Sequence, residues 1–324
     1  MSVRFIRKAA GIIVITAIIG ANLQAQDRNE VIKAYNEGAT AMKTDPQAAI
    51  KAFENVIALA DKVGESAADL KQKAVQVLPG LYINIAVNAL SQKKPVPEIL
   101  KAAKSAVAAA EKYGTPAQKE NASKVMVQAY NTMATGYFSQ NDYQNALTAF
   151  DSALMINPGY INAIYNKAMI YIKQNNSEAL EQTIDSYLEK VKAANDEQKI
   201  TQASTLAREY FRAAGSKANQ ANKLDEALAL LNKAAKYGDD KDLFYYFADV
   251  YNKQKNFDSG ADYAKRGLDL ETGDATAKAK FYFQLGLSQE GKGQAADACA
   301  SFKNAMYGPF AEPSKAKRTN LKCQ

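Results

Sequence analysis

The chain has no histidine and no tryptophan, and only 2 cysteines and 8 prolines in 324 residues. Without histidine there is no Ser-His-Asp or Cys-His catalysis, no imidazole general base, and no zinc site that needs an imidazole. Two cysteines cannot build a cysteine-only zinc site within one chain. Glycine is no better placed for phosphate: Gly291-Lys292-Gly293 lacks the spacing of a phosphate-cradling loop and reads as a turn between helices. Asp239, Asp240 and Asp242 cluster, but without the alternating ligands and terminal Glu of a calcium loop, so they read as a helix start capped by Asp. On this inventory the chain is not an enzyme, and no cofactor or metal is called for.

Charge of one sign is not concentrated either. The formal charge is +7, but Arg4, Arg7 and Lys8 fall in a segment expected to be removed, which leaves 38 Lys and Arg against 34 Asp and Glu. That surplus is spread out, with no basic run before the last dozen residues, so nucleic acid is not an expected partner. Scarce proline and abundant Ala, Lys, Gln and Leu favour helix almost everywhere. Tyrosine is plentiful, with 18 against 12 phenylalanines, and its rigid ring with a polar tip suits helix seams and binding surfaces alike.

Residues 1–25 have the shape of a secretory signal peptide: the positive Arg4, Arg7 and Lys8, the apolar stretch Ala9 to Ala21, and a cleavage point after Ala25. That apolar stretch falls short of the ~20 residues of a spanning helix. No cysteine follows it to carry a lipid, and no second stretch reads as long and apolar enough to span a bilayer. The mature protein is expected outside the cytoplasm, in the periplasm or cell envelope.

The rest of the chain repeats itself. The clearest unit reads Tyr130, Met133, Ala134, Tyr137, then Tyr143, Ala146, Leu147, Phe150, Ala153, Leu154 and Pro158. The first four share one face of a helix, and the residues from Ala146 to Leu154 share one face of a second. Small residues at Ala134 and Ala146 let the two backbones approach, and Pro158 stops the second helix. The pair of small positions recurs at Ala168 and Ala179, Gly215 and Ala227, Ala248 and Gly260, and Gly286 and Ala298, with 12 residues between them in every unit but the second, which has 11. The 48 residues from Ala179 to Ala227 imply an insertion around 195–202, read as a longer helix plus a loop. Residues 26–114 look like two diverged units, one around Gly38, Ala49, Ile50 and Phe53, the other from about Leu70 to Tyr113. Pro79-Gly80 falls inside a helix of the second and is expected to kink or break it. Gly114-Thr115-Pro116 is the expected boundary before the five regular units of 127–312.

This pattern resembles the tetratricopeptide repeat, a degenerate motif of about 34 residues. The resemblance implies an all-α solenoid of about seven stacked helix-turn-helix repeats, the first two diverged, wound into a right-handed superhelix. It also implies a concave groove lined by the first helix of each repeat. Carried over position by position, that groove takes Asn131, Thr135 and Phe138, then Tyr165, Asn166 and Met169. Arg212 follows, with Glu209 and Asn219 beside it, then Tyr245, Tyr246 and Asp249, and last Phe283 and Leu287. Aromatic rings at Tyr165, Tyr245 and Phe283 would suit a peptide with apolar anchors, or would simply pack between helices. The clamp by which chaperone-binding members grip a terminal carboxylate is missing: Asn131, Thr135, Glu209 and Ala213 stand where its cations and first asparagine belong, and Asn166 alone matches.

The resemblance therefore points to a protein–protein interaction scaffold for other exported or envelope proteins or peptides. A carbohydrate- or peptide-ligand binding protein, or a purely structural spacer, are the alternatives. Cys299 and Cys323 invite a disulfide in an exported chain; the other reading is a buried Cys299 and a free tail thiol. The basic tail 313–324, with Lys315, Lys317, Arg318 and Lys322, reads as solvated and irregular, with an acidic envelope surface as its candidate contact.

Overall fold

The computed structural model describes residues 27–324, so the expected signal peptide lies outside the described residues. Fifteen helices follow one another, with no strand among the described residues. They are α1 (27–41), α2 (Pro46–Val63), α3 (Ala68–Ser91), α4 (Val96–Tyr113), α5 (Pro116–Ser139), α6 (Tyr143–Ile156), α7 (Ile161–Lys173) and α8 (Ser177–Ala193). Then come α9 (Glu197–Gln220), α10 (Leu224–Ala235), α11 (Lys241–Lys253), α12 (Phe257–Leu270), α13 (Ala275–Gly291), α14 (Ala295–Asn304) and α15 (Ala311–Asn320). The chain divides into two compact units, one ending at Ala163 and one beginning at Ile164.

One turn, repeated, makes the hairpins. After α3, α5, α7, α9, α11 and α13 a single residue takes the left-handed backbone: Lys93, Asn141, Asn175, Asn222, Lys255 or Gly293. The next N–H reaches back to a carbonyl of the finished helix, as from Asp142 to Tyr137, Asn176 to Tyr171 and Asn256 to Tyr251. This closure satisfies carbonyls that the helix end leaves free. The same residue then often caps the next helix: the side chains of Asp142, Asn176 and Asn256 accept from Asn145, Ala179 and Ser259 N–H groups. A three- or four-residue connection of this kind permits only an antiparallel helix pair.

The seams are closed by the small residues. Ala134, Ala146, Ala168, Ala227, Ala248 and Ala298 are fully buried, whereas in the second regular repeat Leu180, not the expected Ala179, takes the buried place. Where the first helix carries glycine, a large side chain of the second fills the space. A Cβ on Gly215 would stand 2.8 Å from Leu231, and Gly38 faces Phe53 in the same way. Phe53 and Phe302, which fill such spaces beside Gly38 and Gly286, are buried completely, worth roughly 2–3 kcal/mol each against exposure.

Within the first unit, α2 to α6 pack in chain order and α3 also touches α5. Here three expectations are corrected. Helix α3 runs unbroken through Pro79, which is itself buried. Packing of Leu70, Ala74, Leu78, Leu81 and Ala86 on both sides outweighs the hydrogen bond that proline deletes. Together with the turn before it, Glu65–Ser91 is also long and apolar enough to cross a membrane by composition. Part of that apolar surface packs against α2, α4 and α5. Third, Gly114–Pro116 does not divide the unit. Thr115 and Gln118 form a reciprocal cap opening α5, and Ala103, Ala106 and Ala110 of α4 share one core with Ala122 and Ala129 of α5.

In the second unit, the inserted stretch is a turn at 194–196 followed by the start of the long α9, a longer helix plus a loop as read from the spacing. The C-terminal tail is ordered, contrary to expectation. Helix α15 packs on α14, and Cys323 is bonded to Cys299 with 5.6 Å between their Cα atoms. Lys317 pairs with Glu290 at 2.6 Å, and Arg318 donates to the Cys299 carbonyl at 2.6 Å. Part of the tail's basic charge is thus spent inside the fold.

Candidate functional site

The groove candidates fall in both units. Asn131, Thr135 and Phe138 lie on α5 in the first. Thr135 is exposed and its hydroxyl donates to the Thr132 carbonyl, while Phe138 leans on Tyr143 at 6.0 Å. Asn131 is half-buried, and its Oδ1 is shut from solvent with no hydrogen-bond partner. Beside it is a cavity of about 400 Å³ lined by Val87, Leu90, Gln128 and Thr132. An unpartnered buried carbonyl is costly, and nothing within the described residues satisfies this one.

In the second unit, α9 touches α11 and α11 touches α13 along their first-helix faces. A polar row crosses them. Asp249 on α11 accepts from Asn219 on α9 at 2.6 Å and from Gln284 on α13 at 3.0 Å, with Lys253 at 2.9 Å. Gln284 in turn accepts from Asn252, whose Oδ1 accepts from Ser288. Asn219, Gln284 and Ser288 are 3%, 2% and 0% exposed. A row so fully satisfied fixes the helix faces rigidly relative to one another. The resemblance supplied Asp249 and Asn219. Gln284, Asn252 and Ser288 were missed, although Gln284 and Ser288, four apart in the apolar run FYFQLGLSQ, are the readable sign.

The remaining candidates sort by what they touch. Arg212 is held at 2.6 Å by Asp240, which also caps α11 and binds Arg208. Asp239 pairs with Arg266 and Asp242 with Lys280, so each of the three clustered carboxylates has its own cation. Burial works to raise the Asp242 carboxyl, but the Lys280 hydrogen bond with the Lys280 and Arg212 charges holds it below its ordinary value. Phe283 follows the packing alternative: its ring sits 5.7 Å from Phe302 and 5.4 Å from Phe310. Tyr165 stacks at a tilt on Tyr187 and accepts from Gln202. Tyr245 meets Phe281 edge-on and lies under Lys280, and burial pushes its phenol up. Tyr246, edge to Tyr245 at 5.3 Å, is half-buried, as are Asn166, Met169 and Leu287.

Successive antiparallel hairpins with first-helix faces aligned define an α-solenoid of helical repeats. Residues 137–198, spanning α6 to α8, match the tetratricopeptide repeat family. Solved structures with some likeness include the MamA protein, at 16% identity over 61% of this chain and 96% of that chain, with a TM-score of 0.34. YrrB, described as a tetratricopeptide repeat protein with an unusual peptide-binding site, is 16% identical over 60% of this chain and 91% of that one, with a TM-score of 0.33. A tetratricopeptide repeat protein from Parabacteroides merdae is 19% identical over 92% and 99%, with a TM-score of 0.29. No curated protein matches the chain.

Proposed function

We propose that the chain is a non-catalytic scaffold of the cell envelope that holds other exported proteins or peptides on the first-helix faces of its hairpins. The observation that carries this is the polar row through Asn219, Asp249 and Gln284, which holds three such faces in one preorganised surface. Tyr246 is presented beside that row with part of its ring open. The envelope address rests on the form of residues 1–25, and the Cys299–Cys323 bond supports an oxidising compartment.

The test is affinity capture by residues 26–324 from an envelope extract of the source cells, against a variant carrying Asn166→Ala, Met169→Ala and Tyr246→Ala. A small set of proteins retained by the native chain and lost by the variant is the expected result. Equal retention by both would move the site off this face. Retention of glycan alone would favour the carbohydrate-binding alternative. Full-length protein recovered unprocessed from the cytoplasm would overturn the address.

A further inference from the structure

Helix α3 is apolar around most of its circumference, and only part of that surface is used. Leu78, Leu81 and Ala86 are buried in the cores, whereas Tyr82, Ile85 and Ala89 remain half-open. They floor a trough between α2 and α4. Two cavities of about 520 and 500 Å³ lie along it and meet at Tyr82 and Ser105, which line both. An all-round apolar helix belongs in an interior, so this face of α3 lacks a cover.

The trough has the form of a helix seat. Its floor runs from Leu78 to Gln92, ~21 Å at 1.5 Å per residue, or about four turns. Along α4 the wall is small, with Ala102, Ser105 and Ala109 spaced three and four apart, which lets another helix approach closely. The rims carry opposite charge. On α2 stand Glu54 and Asp61; on the α4 side stand Lys94, Lys101 and Lys112, with Glu98 the one exception. Glu54 accepts from the Tyr82 hydroxyl at 2.7 Å, and Asp61 holds Lys71, so each carboxylate has one partner in place before any docking. An acyl chain could fill the floor but would add no charge partner to either rim. An amphipathic helix answers both, its apolar stripe on Tyr82 and Ile85 and its two edges oppositely charged.

We propose that this trough is a second docking site, distinct from the surface carried by α9, α11 and α13, for an amphipathic helix of another protein with one acidic and one basic edge. The probes are three labelled 15-residue helical peptides sharing a leucine stripe at i, i+3, i+7 and i+10. One carries Glu along one edge and Lys along the other; the second carries Glu on both edges; the third carries Lys on both. Fluorescence anisotropy with residues 26–324 is expected to show the mixed-edge peptide binding at least tenfold more tightly than either single-sign peptide. Ser105→Arg, which fills the trough from a half-exposed position, is expected to weaken it tenfold or more with the helical circular dichroism unchanged. Lys101→Glu with Lys112→Glu, both at the rim, is expected to shift preference to the all-Lys peptide. Tyr246→Ala is expected to leave all three affinities alone, which separates this site from the scaffold face. Absent binding, equal affinity for all three peptides, or insensitivity to both trough variants would overturn the proposal. Displacement of a bound peptide by dodecyl phosphate at sub-micellar concentration, with no preference among the peptides, would reassign the trough to an anionic amphiphile.

Discussion

Gly286 on α13 stands so close to Phe302 on α14 that a methyl in place of its hydrogen would lie 2.7 Å from the ring edge. Phe302 is completely buried and cannot swing away. In an open helix, Gly→Ala would stabilise by up to about 1 kcal/mol, but overpacking a core costs roughly 1–3 kcal/mol. Gly286→Ala is therefore expected to lower stability by about 1–2 kcal/mol in urea unfolding. Gly136 in α5 is the control, since a Cβ there meets nothing within 4 Å. Gly136→Ala is expected to stabilise by about 0.5–1 kcal/mol. The same sign for both substitutions would show that the seam yields.

The Cys299–Cys323 bond closes a loop of 24 residues around α15. Losing such a link is expected to cost about 3 kcal/mol on chain-entropy grounds, felt in the second unit. Reduced protein, or Cys323→Ser, is expected to release α15 and expose Lys315, Lys317 and Arg318 to trypsin. Phe310 would leave Phe283 at the same time. Limited proteolysis with mass spectrometry reads this directly: cleavage in α15 within minutes under reduction, against protection in the oxidised chain. Equal protection in both would show that the Lys317–Glu290 and Arg318 contacts suffice.

What the amino-acid pattern made legible was the seam; what it hid was partnership. Ala134 with Ala146 and Gly286 with Ala298 are local consequences of helix period, and the backbone packs as that spacing implies. Asn141, Asn175 and Asn222 at the hairpin turns carry the same local signal, because asparagine tolerates left-handed backbone. Pro79 misled because a local penalty was weighed without the neighbours that outvote it. Phe283 and Arg212 occupy groove positions by number, yet Phe310 and Asp240 reach them from distant parts of the chain. No spacing rule sees such contacts. The tail misled for the same reason: the basic run reads as solvated until Glu290 and Cys299 are brought beside it.

Acidification should loosen the second unit through its ion-paired carboxylates, Glu271 and Glu181 among them. The Lys241 hydrogen bond, with the Gly273 N–H, holds Glu271 below the ordinary glutamate range. The Lys233 hydrogen bond, opposed by burial and helped by Lys236, holds Glu181 below it too. A carboxyl lowered by folding contributes stability that is fully present above its unfolded value, about 4.3, and is lost as pH falls through the lowered folded value. Unfolding free energy is therefore expected to be flat from about pH 7 to 5 on this account and to fall below about pH 4.5. Glu271→Gln should make that fall shallower. Parallel curves for the two proteins between pH 6 and 3 would assign the acid sensitivity elsewhere.

Asp249 is the residue on which the polar row turns, and it separates a network from a set of neighbours. Asp249→Ala strips the acceptor from the buried Asn219 and Gln284 amides at once. Leaving buried donors unmade costs roughly 1–3 kcal/mol each, so a loss of about 2–4 kcal/mol is expected. Asp249→Asn keeps an acceptor and should lose less. Gln284→Leu removes a donor along with its need, and is expected to be milder than Asp249→Ala. If the row acts as one body, the double variant will be less destabilised than the two single losses added together, by at least about 0.5 kcal/mol. Additive losses would mean that Asp249 and Gln284 act separately and that this row does not couple α9, α11 and α13. The row would then not be what preorganises the surface proposed for partner binding.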